Sequence, residues 1–446
     1  MTADLAQHAT RAPVPETASD RLRMLAVDYL SLARAGSRAP SAIAAVAAVS
    51  DDAGSAHIEG SQARVPAEAA ALVNGISAHG LELDDTHEES STHPGVVIWP
   101  TVFALADLDS ISVDEALAAA NVGYDVMTSS GVLIGAAEVY RRGFHPTAVA
   151  GALGAAAAAS RLLELDVEQT QNALSLSANL AAGSLQFLTD GAWTKRLNAG
   201  HAASAGIRAA RLARAGFRAP AAAIEGDHGW LRLYGGGMSA GNELDLCAGR
   251  GVLSTSVKFF ACCRYMHGAM DLLADLHMSL GHLTSDEIAR IDVAVIEAGQ
   301  ALVSLPPAQK LSVASTVDAQ FNMPFGAALA FTTGRAGLED FDNAASVAER
   351  LAPWMSKIHT VTSAKVEAAY PSRWTAEVRV LLDDGQEIAR TTESFRGSPS
   401  SPPNWEDIAE KAAELVGPDS ARALVKRWRH ADGDAPLSSV KLDSAS

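Results

Sequence analysis

The stretch at residues 146–163 reads PTAVAGALGAAAAASRLL, and it leaves this chain few folds to choose from. Proline suits the first position of a helix, and alanine is the best helix former. A helix that is apolar on nearly every face has to be covered on all sides. Its small side chains let other helices come close enough to do so. The uninterrupted apolar run, 148–160, stops at Arg161 and is too short to span a bilayer. Further helical periodicity is expected at 19–36, 41–49, 67–79, 96–108, 113–134, 167–188 and 199–215. A helical core built around central apolar helices is the expectation for this half.

The texture changes after about residue 255. IDVAVI (291–296) and AEVRVLL (376–382) read as strands. Asp383, Asp384 and Gly385 offer hairpin-turn chemistry before a return strand at 386–392. A helix is expected at 316–332 between them. RGSPSSPP (396–403) reads as a linker, after which Asn404 can cap an amphipathic helix at 405–416. The expected fold class is therefore mainly α with an α+β lid. Residues 1–255 and 396–446 would form a large all-helical, discontinuous domain, and 256–395 a smaller inserted α+β domain. Residues 1–17 and the polar tail after Arg429 are expected to be flexible.

Asp and Glu number 52 against 35 Lys and Arg, a net charge of −17. That excludes nucleic acid as a natural partner, because phosphate binding needs basic surface. It also means that an anionic substrate needs cations gathered locally. The three cysteines, Cys247, Cys262 and Cys263, form neither a disulfide framework nor a zinc-ligand spacing. The first residues have no apolar core of a secretory signal, and the cytoplasm is the expected location.

Two His-Pro pairs, His93-Pro94 and His145-Pro146, each precede an apolar helix. A histidine at a helix N-terminus sits where the dipole favours anions and disfavours imidazolium. Beside free N–H groups it can receive a carboxylate and exchange a proton. Taken alone, each pair is more often a tolerated cap. The loop Glu82-Leu83-Asp84-Asp85-Thr86 places three carboxylates and a hydroxyl before His93, where one could orient a histidine or act as acid or base; solvated acidic loops are common. No metal is expected: His79, His87 and His93 are near in sequence, but their spacing repeats no helical face. Lys195, in a loop before the helix at 199–215, can bind a carboxylate as a point charge. Arg208, Arg211 and Arg214 read as a solvated or acid-paired stripe. Arg264 and His267 share a helical face at the domain junction, and Cys263 beside them is more often structural than nucleophilic.

HGLELDDT (79–86), THPG (92–95), GFHPTAVAGALGAAAAASRLL (143–163), SANLAAGSLQFLTDGAWTKRLNAGHAA (177–203), KFFACCRYMH (258–267), DAQFNMPFGAALAF (318–331) and AAYPSRWTAEVRVLLDDG (368–385) follow in order. Together they resemble the MmgE/PrpD family over about residues 20–425. The resemblance implies a large helical domain with a smaller α+β lid, a homodimer, no cofactor, and a small anionic carboxylate as substrate. It implies proton transfer next to a carboxylate, as in dehydration of 2-methylcitrate, decarboxylation of cis-aconitate or epimerisation of iminodisuccinate. Its site residues fall on Glu82, Thr86, His93, His145 and Lys195. Asp85, Arg264, His267, Cys263 and Phe325 are the expected substrate-contacting residues. The sequence departs from the decarboxylase pattern: Glu82 stands for an aspartate, Cys263 for a histidine and Phe325 for a tyrosine. The AEWGHPSDN pattern of 2-methylcitrate dehydratases is also missing. The expected activity is a cofactor-independent lyase, first a hydro-lyase, then an epimerase or a decarboxylase; a non-catalytic carboxylate-binding protein is the alternative of a different class.

Overall fold

A computed structural model of the protein describes every residue except 109, 190, 238–242, 371–372 and 443–446. The chain divides into two compact units, Met1–Ser256 with Pro403–Ser446, and Val257–Pro402.

The first unit is helical, and its centre is the helix Pro146–Leu162, buried without a break from Pro146 to Ser160. Around it pack the helices Gly95–Ala106, Val113–Ile134, Val167–Leu180 and Thr194–Arg214. Small residues permit this crowding. The helices Ala67–His79 and Thr194–Arg214 meet at Gly75 and Gly200, where a β-carbon on Gly200 would stand 2.1 Å from the Leu72 carbonyl oxygen. That contact fixes the spacing of two helix ends that carry His79 and Lys195. Gly200→Ala is expected to cost roughly 1–3 kcal/mol, since neither backbone can give way without moving its helix. Equilibrium urea unfolding checks this; an unchanged midpoint would mean that the helices separate freely.

The ends of the chain depart from expectation. Residues 2–11 form a helix, Thr2–Arg11, with Leu5, Ala6 and Ala9 buried. His8 Nε2 meets Asp125 Oδ2 at 3.0 Å, and the Thr2 hydroxyl donates to Glu225 at 2.5 Å. Beyond Arg429, Leu437 and Val440 are buried and the Val113 amide donates to the Ala435 carbonyl at 2.9 Å. Polar composition suggested freedom at both ends; a few apolar residues with buried partners are enough to hold residues 2–11 and 437–440, and residues 443–446 of the expected tail lie outside the described residues.

The helix expected at 199–215 begins earlier, at Thr194, so Lys195 lies in its first turn and not in a preceding loop. The segment 167–188 is helical only as Val167–Leu180. The helix Trp405–Val416 starts at Asn404, whose Oδ1 accepts from the amides of Glu406 (2.7 Å) and Asp407 (3.1 Å).

The second unit is α+β. Its four-stranded sheet runs Ile358–Val361, Ile288–Ala294, Ala376–Leu382, Glu387–Thr392; the first pair is parallel and the others antiparallel. The short strand Ile358–Val361 has too few residues to announce itself by alternation. Gly385, at φ 89°, closes the hairpin. The helix expected at 316–332 is two helices, Thr316–Gln320 and Met323–Thr333. Asn322 restarts the second by accepting from the Phe325 amide at 2.9 Å, and Pro324 fits its first turn. Among the described residues, no helix is long and apolar enough to cross a membrane.

Candidate active site

The first unit brings the loop 82–86, both His-Pro pairs and the start of the Lys195 helix into one buried group. Glu82 adopts a left-handed backbone, φ 54°, which a side chain other than glycine occupies at a cost. It is buried and ion-paired with the Lys195 ammonium.

His93 is fixed through Nδ1. The Thr86 hydroxyl, the Asp85 carbonyl and Asp84 Oδ2 each lie 3.1 Å from it. A carbonyl and a carboxylate can only accept, so Nδ1 carries the proton. The neutral ring is then unprotonated at Nε2, the tautomer that can accept a proton there. The His93 amide donates to Thr147 Oγ1 at 3.1 Å, which ties the two His-Pro turns together.

His145 is held in the opposite sense. Asn198 Nδ2 lies 3.4 Å from His145 Nδ1 and 3.3 Å from the Ser184 carbonyl. The carbonyl requires a donor, so the amide nitrogen faces both, and His145 Nδ1 accepts. Its neutral ring therefore carries its proton on Nε2. Burial above all, then the Lys195 ammonium and any positive charge on His79 or His93, holds its pKa well below the usual histidine range. The N-terminus of the helix Pro146–Leu162 acts in the same direction. His145 is thus a neutral N–H donor.

A third histidine completes the group. His79 ends the helix Ala67–His79 and its Nδ1 lies 3.0 Å from Asp84 Oδ2. Ring centroids are 4.9 Å apart for His79 and His93, 6.1 Å for His79 and His145, and 6.3 Å for His93 and His145. One ring nitrogen of each lies within 4.8 Å of those of the others. The set resembles metal donors: a tetrahedral ion bound at roughly 2.0–2.1 Å takes ligand nitrogens about 3.4 Å apart, inside that limit. The Lys195 ammonium, however, opposes further positive charge at His145, which suits these residues to hold protons.

Several expected residues have other work. Asp85 accepts from the Gly95 amide at 2.7 Å and from the Tyr124 hydroxyl at 2.6 Å, so it secures the start of the helix Gly95–Ala106. Burial raises its pKa to about 7. His87, counted with His79 and His93 on spacing, is bonded to Ser90 Oγ at 2.8 Å and Ser254 Oγ at 3.0 Å. Arg211 of the basic stripe pairs with Glu68 at 2.8 Å.

Burial lowers the His87 pKa from 6.5 to about 4, with Arg250 a smaller cause. The unfolded chain therefore binds this proton first. The contribution is complete above about pH 6.5 and is lost as pH falls towards 4, by about 3 kcal/mol. His87→Gln should flatten the loss of urea stability between pH 7 and 4.5 by that order. Equal slopes for the two chains would show that His87 charges without cost.

In the second unit, Arg264 Nη1 donates to His267 Nδ1 at 3.2 Å, and His267 Nε2 donates to the Cys262 carbonyl at 3.2 Å. His267 thereby positions Arg264, whose guanidinium also lies 4.5 Å over the Phe395 ring. Cys263 caps the helix Arg264–Leu280 and its amide donates to the Gln320 carbonyl at 2.8 Å. Phe325 is buried edge-on to Phe341, centroids 5.6 Å apart, as core.

Sequence reasoning expected a carboxylate of the 82–86 loop to orient a histidine without singling out Asp84, and it missed Asn198 as the orienting amide and His79 as more than a spacing count. Asn198 lies one turn after Lys195, a signal available once the helix is known to start at Thr194.

A helical unit with buried, oppositely oriented histidines beside a lysine–glutamate pair has the equipment of a proton-transfer enzyme. The family model for the MmgE/PrpD N-terminal domain matches residues 2–242, and that for the MmgE/PrpD C-terminal domain matches residues 260–431. The chain belongs to the MmgE/PrpD family. It is 25% identical to a cis-aconitate decarboxylase of Aspergillus terreus over 434 residues, covering 93% of this chain and 88% of that one. It is 26% identical to the human cis-aconitate decarboxylase over 389 residues, covering 81% and 76%. A cis-aconitate decarboxylase-like protein of Aspergillus oryzae is 26% identical over 442 residues, covering 93% and 90%. These relatives are named for a lyase activity.

Proposed function

We propose that this protein is a cofactor-independent lyase that acts on a small di- or tricarboxylate by moving a proton at the carbon next to a carboxylate. The observation that carries the reading is the opposite tautomers of His93 and His145. His93 offers an unprotonated Nε2 to take the proton from carbon. His145 offers Nε2–H to the negative charge that grows on the carboxylate as the proton leaves. A donor held neutral does this without surrendering its own proton. Lys195 supplies the cation for a substrate carboxylate, exchanging its partner Glu82 for the ligand, and Thr86 holds the base in place.

Removal of a carbon-bound proton is the first step of eliminating water, so the paired base and donor favour a hydro-lyase. The similarity to cis-aconitate decarboxylases favours a second reading, in which the same site protonates the carbanion left by carbon dioxide. A homodimer in the cytoplasm belongs to the proposal and is checked by sedimentation and fractionation.

The test is an NMR screen in heavy water with citrates, 2-alkylmalates, aconitates and aspartate-type imino acids. Deuterium entering next to a carboxylate, with an alkene formed, supports the hydro-lyase. Deuterium with loss of carbon dioxide supports the second reading. No exchange with any acid, from folded protein, counts against both and leaves carboxylate binding without catalysis.

A further inference from the structure

We propose that His79 is a third catalytic histidine, the acid that delivers a proton to the departing hydroxyl group. This rests on the hydro-lyase reading above and adds the group it lacks: His93 is the base, and His145 cannot give up its only ring proton without becoming an imidazolate.

Three observations single out His79. It is the last residue of the helix Ala67–His79, where the helix dipole favours a cation. His145 instead caps the start of a helix, and His93 immediately precedes Pro94, which caps another. Its Nδ1 lies 3.0 Å from Asp84 Oδ2, so that nitrogen carries a proton and a second proton on Nε2 would be balanced by the carboxylate. Its Nε2 is fully buried and has no hydrogen-bond partner, although the ring lies within the histidine cluster. A buried nitrogen without a partner costs stability unless a ligand uses it.

The shared carboxylate explains how the step stays balanced. Asp84 Oδ2 lies 3.0 Å from His79 Nδ1 and 3.1 Å from His93 Nδ1. Before reaction, His79 is the imidazolium and His93 is neutral. His93 Nε2 takes the proton from carbon, and the C–H electron pair moves onto the adjacent carboxylate, where the His145 N–H meets the charge. That pair then returns to form the C=C bond as the C–O bond breaks, and the departing hydroxyl takes the proton from His79 Nε2 and leaves as water. Afterwards His93 is the imidazolium and His79 is neutral. One carboxylate faces one imidazolium before and after the reaction, and between the two steps the second imidazolium is balanced by the negative charge on the substrate, so the net charge of the occupied site does not change. Among the described residues, the Lys195–Glu82 pair, the buried Asp28–Lys411 pair, Asp85 and Arg21 also lie near Asp84 and the histidines or near each other, and none of them exchanges a proton in this step.

The test separates the two half-reactions in heavy water, using whichever hydroxy acid of the panel the wild-type chain dehydrates. His79→Gln should lose alkene formation by about 100-fold or more, while deuterium exchange at carbon, which uses His93 and His145 and not His79, falls much less. His93→Gln should lose both together. Equal loss of exchange and elimination in folded H79Q would overturn the proposal, as would undiminished elimination. Failure of the wild-type chain to exchange any acid would instead remove the underlying reading. If H79Q does not fold, nitrogen-15 NMR of the wild-type histidines decides: both His79 ring nitrogens should be protonated in the resting enzyme, against one each in His93 and His145. A singly protonated His79 ring, or a cluster that ejects its protons to bind added Zn²⁺ at micromolar concentration, would overturn it.

Discussion

His93→Gln should reduce turnover by about 100-fold or more while the protein remains folded, the usual scale of help from a positioned acid or base. Glutamine keeps much of the volume, but its amide is no base, so conservative size brings no rescue. His145 should behave differently. His145→Phe removes an N–H donor from a buried site where charge develops and should cost about 100- to 1,000-fold. His145→Gln returns an N–H near the same place and should recover part of that loss. The comparison therefore tests the tautomers as well as the residues: rescue by glutamine at 145 and none at 93. It is read from kcat and from deuterium exchange by NMR. Near-wild-type turnover in folded His93→Gln would remove His93 as the base, and equal rescue at both positions would mean that both histidines act only as donors.

Lys411→Met should destabilise the fold by about 3–5 kcal/mol, the scale of stranding one half of a buried ion pair. Lys411 is buried in the helix Trp405–Val416, with Nζ 2.6 Å from Asp28 and 2.8 Å from the Leu83 carbonyl. Burial lowers the lysine's pKa and raises the aspartate's, each opposed by the attraction between them. Removing the lysine leaves Asp28 without that attraction. It also frees Leu83, which sits between Glu82 and Asp84 in the site loop, so activity should fall along with stability. Lys411→Met combined with Asp28→Leu should regain part of the stability, since an apolar pair can replace a buried ionic one, but not the hold on Leu83. Urea unfolding and turnover of both variants separate the two roles. No loss of stability in the single variant would show that water replaces the lysine.

Residues 146–163 could be read directly because their character is local: apolar side chains on all faces demand a central position wherever the chain goes. The hairpin at Asp383-Asp384-Gly385 and the Asn404 cap are equally local, each needing only a few residues. The order of His-Pro, DDT and Lys195 segments carried the family resemblance, which the family matches to residues 2–242 and 260–431 then established.

Other features required distant residues. Thr2–Arg11 is ordered by Glu225 and Asp125, which no local pattern near residue 2 reveals. Asp84 and Asp85 are adjacent and chemically identical, yet one anchors two histidines and the other holds Gly95 and Tyr124. The sequence by itself determined a mainly helical chain, central small-residue helices and the residue types available for proton transfer, because these follow from side-chain size, polarity and short-range spacing. Only the tertiary structure decided which nitrogen of each histidine carries the proton, because that depends on an acceptor from residues 84–86 at His93 and a donor from residue 198 at His145, brought within hydrogen-bonding distance by the packing of helices.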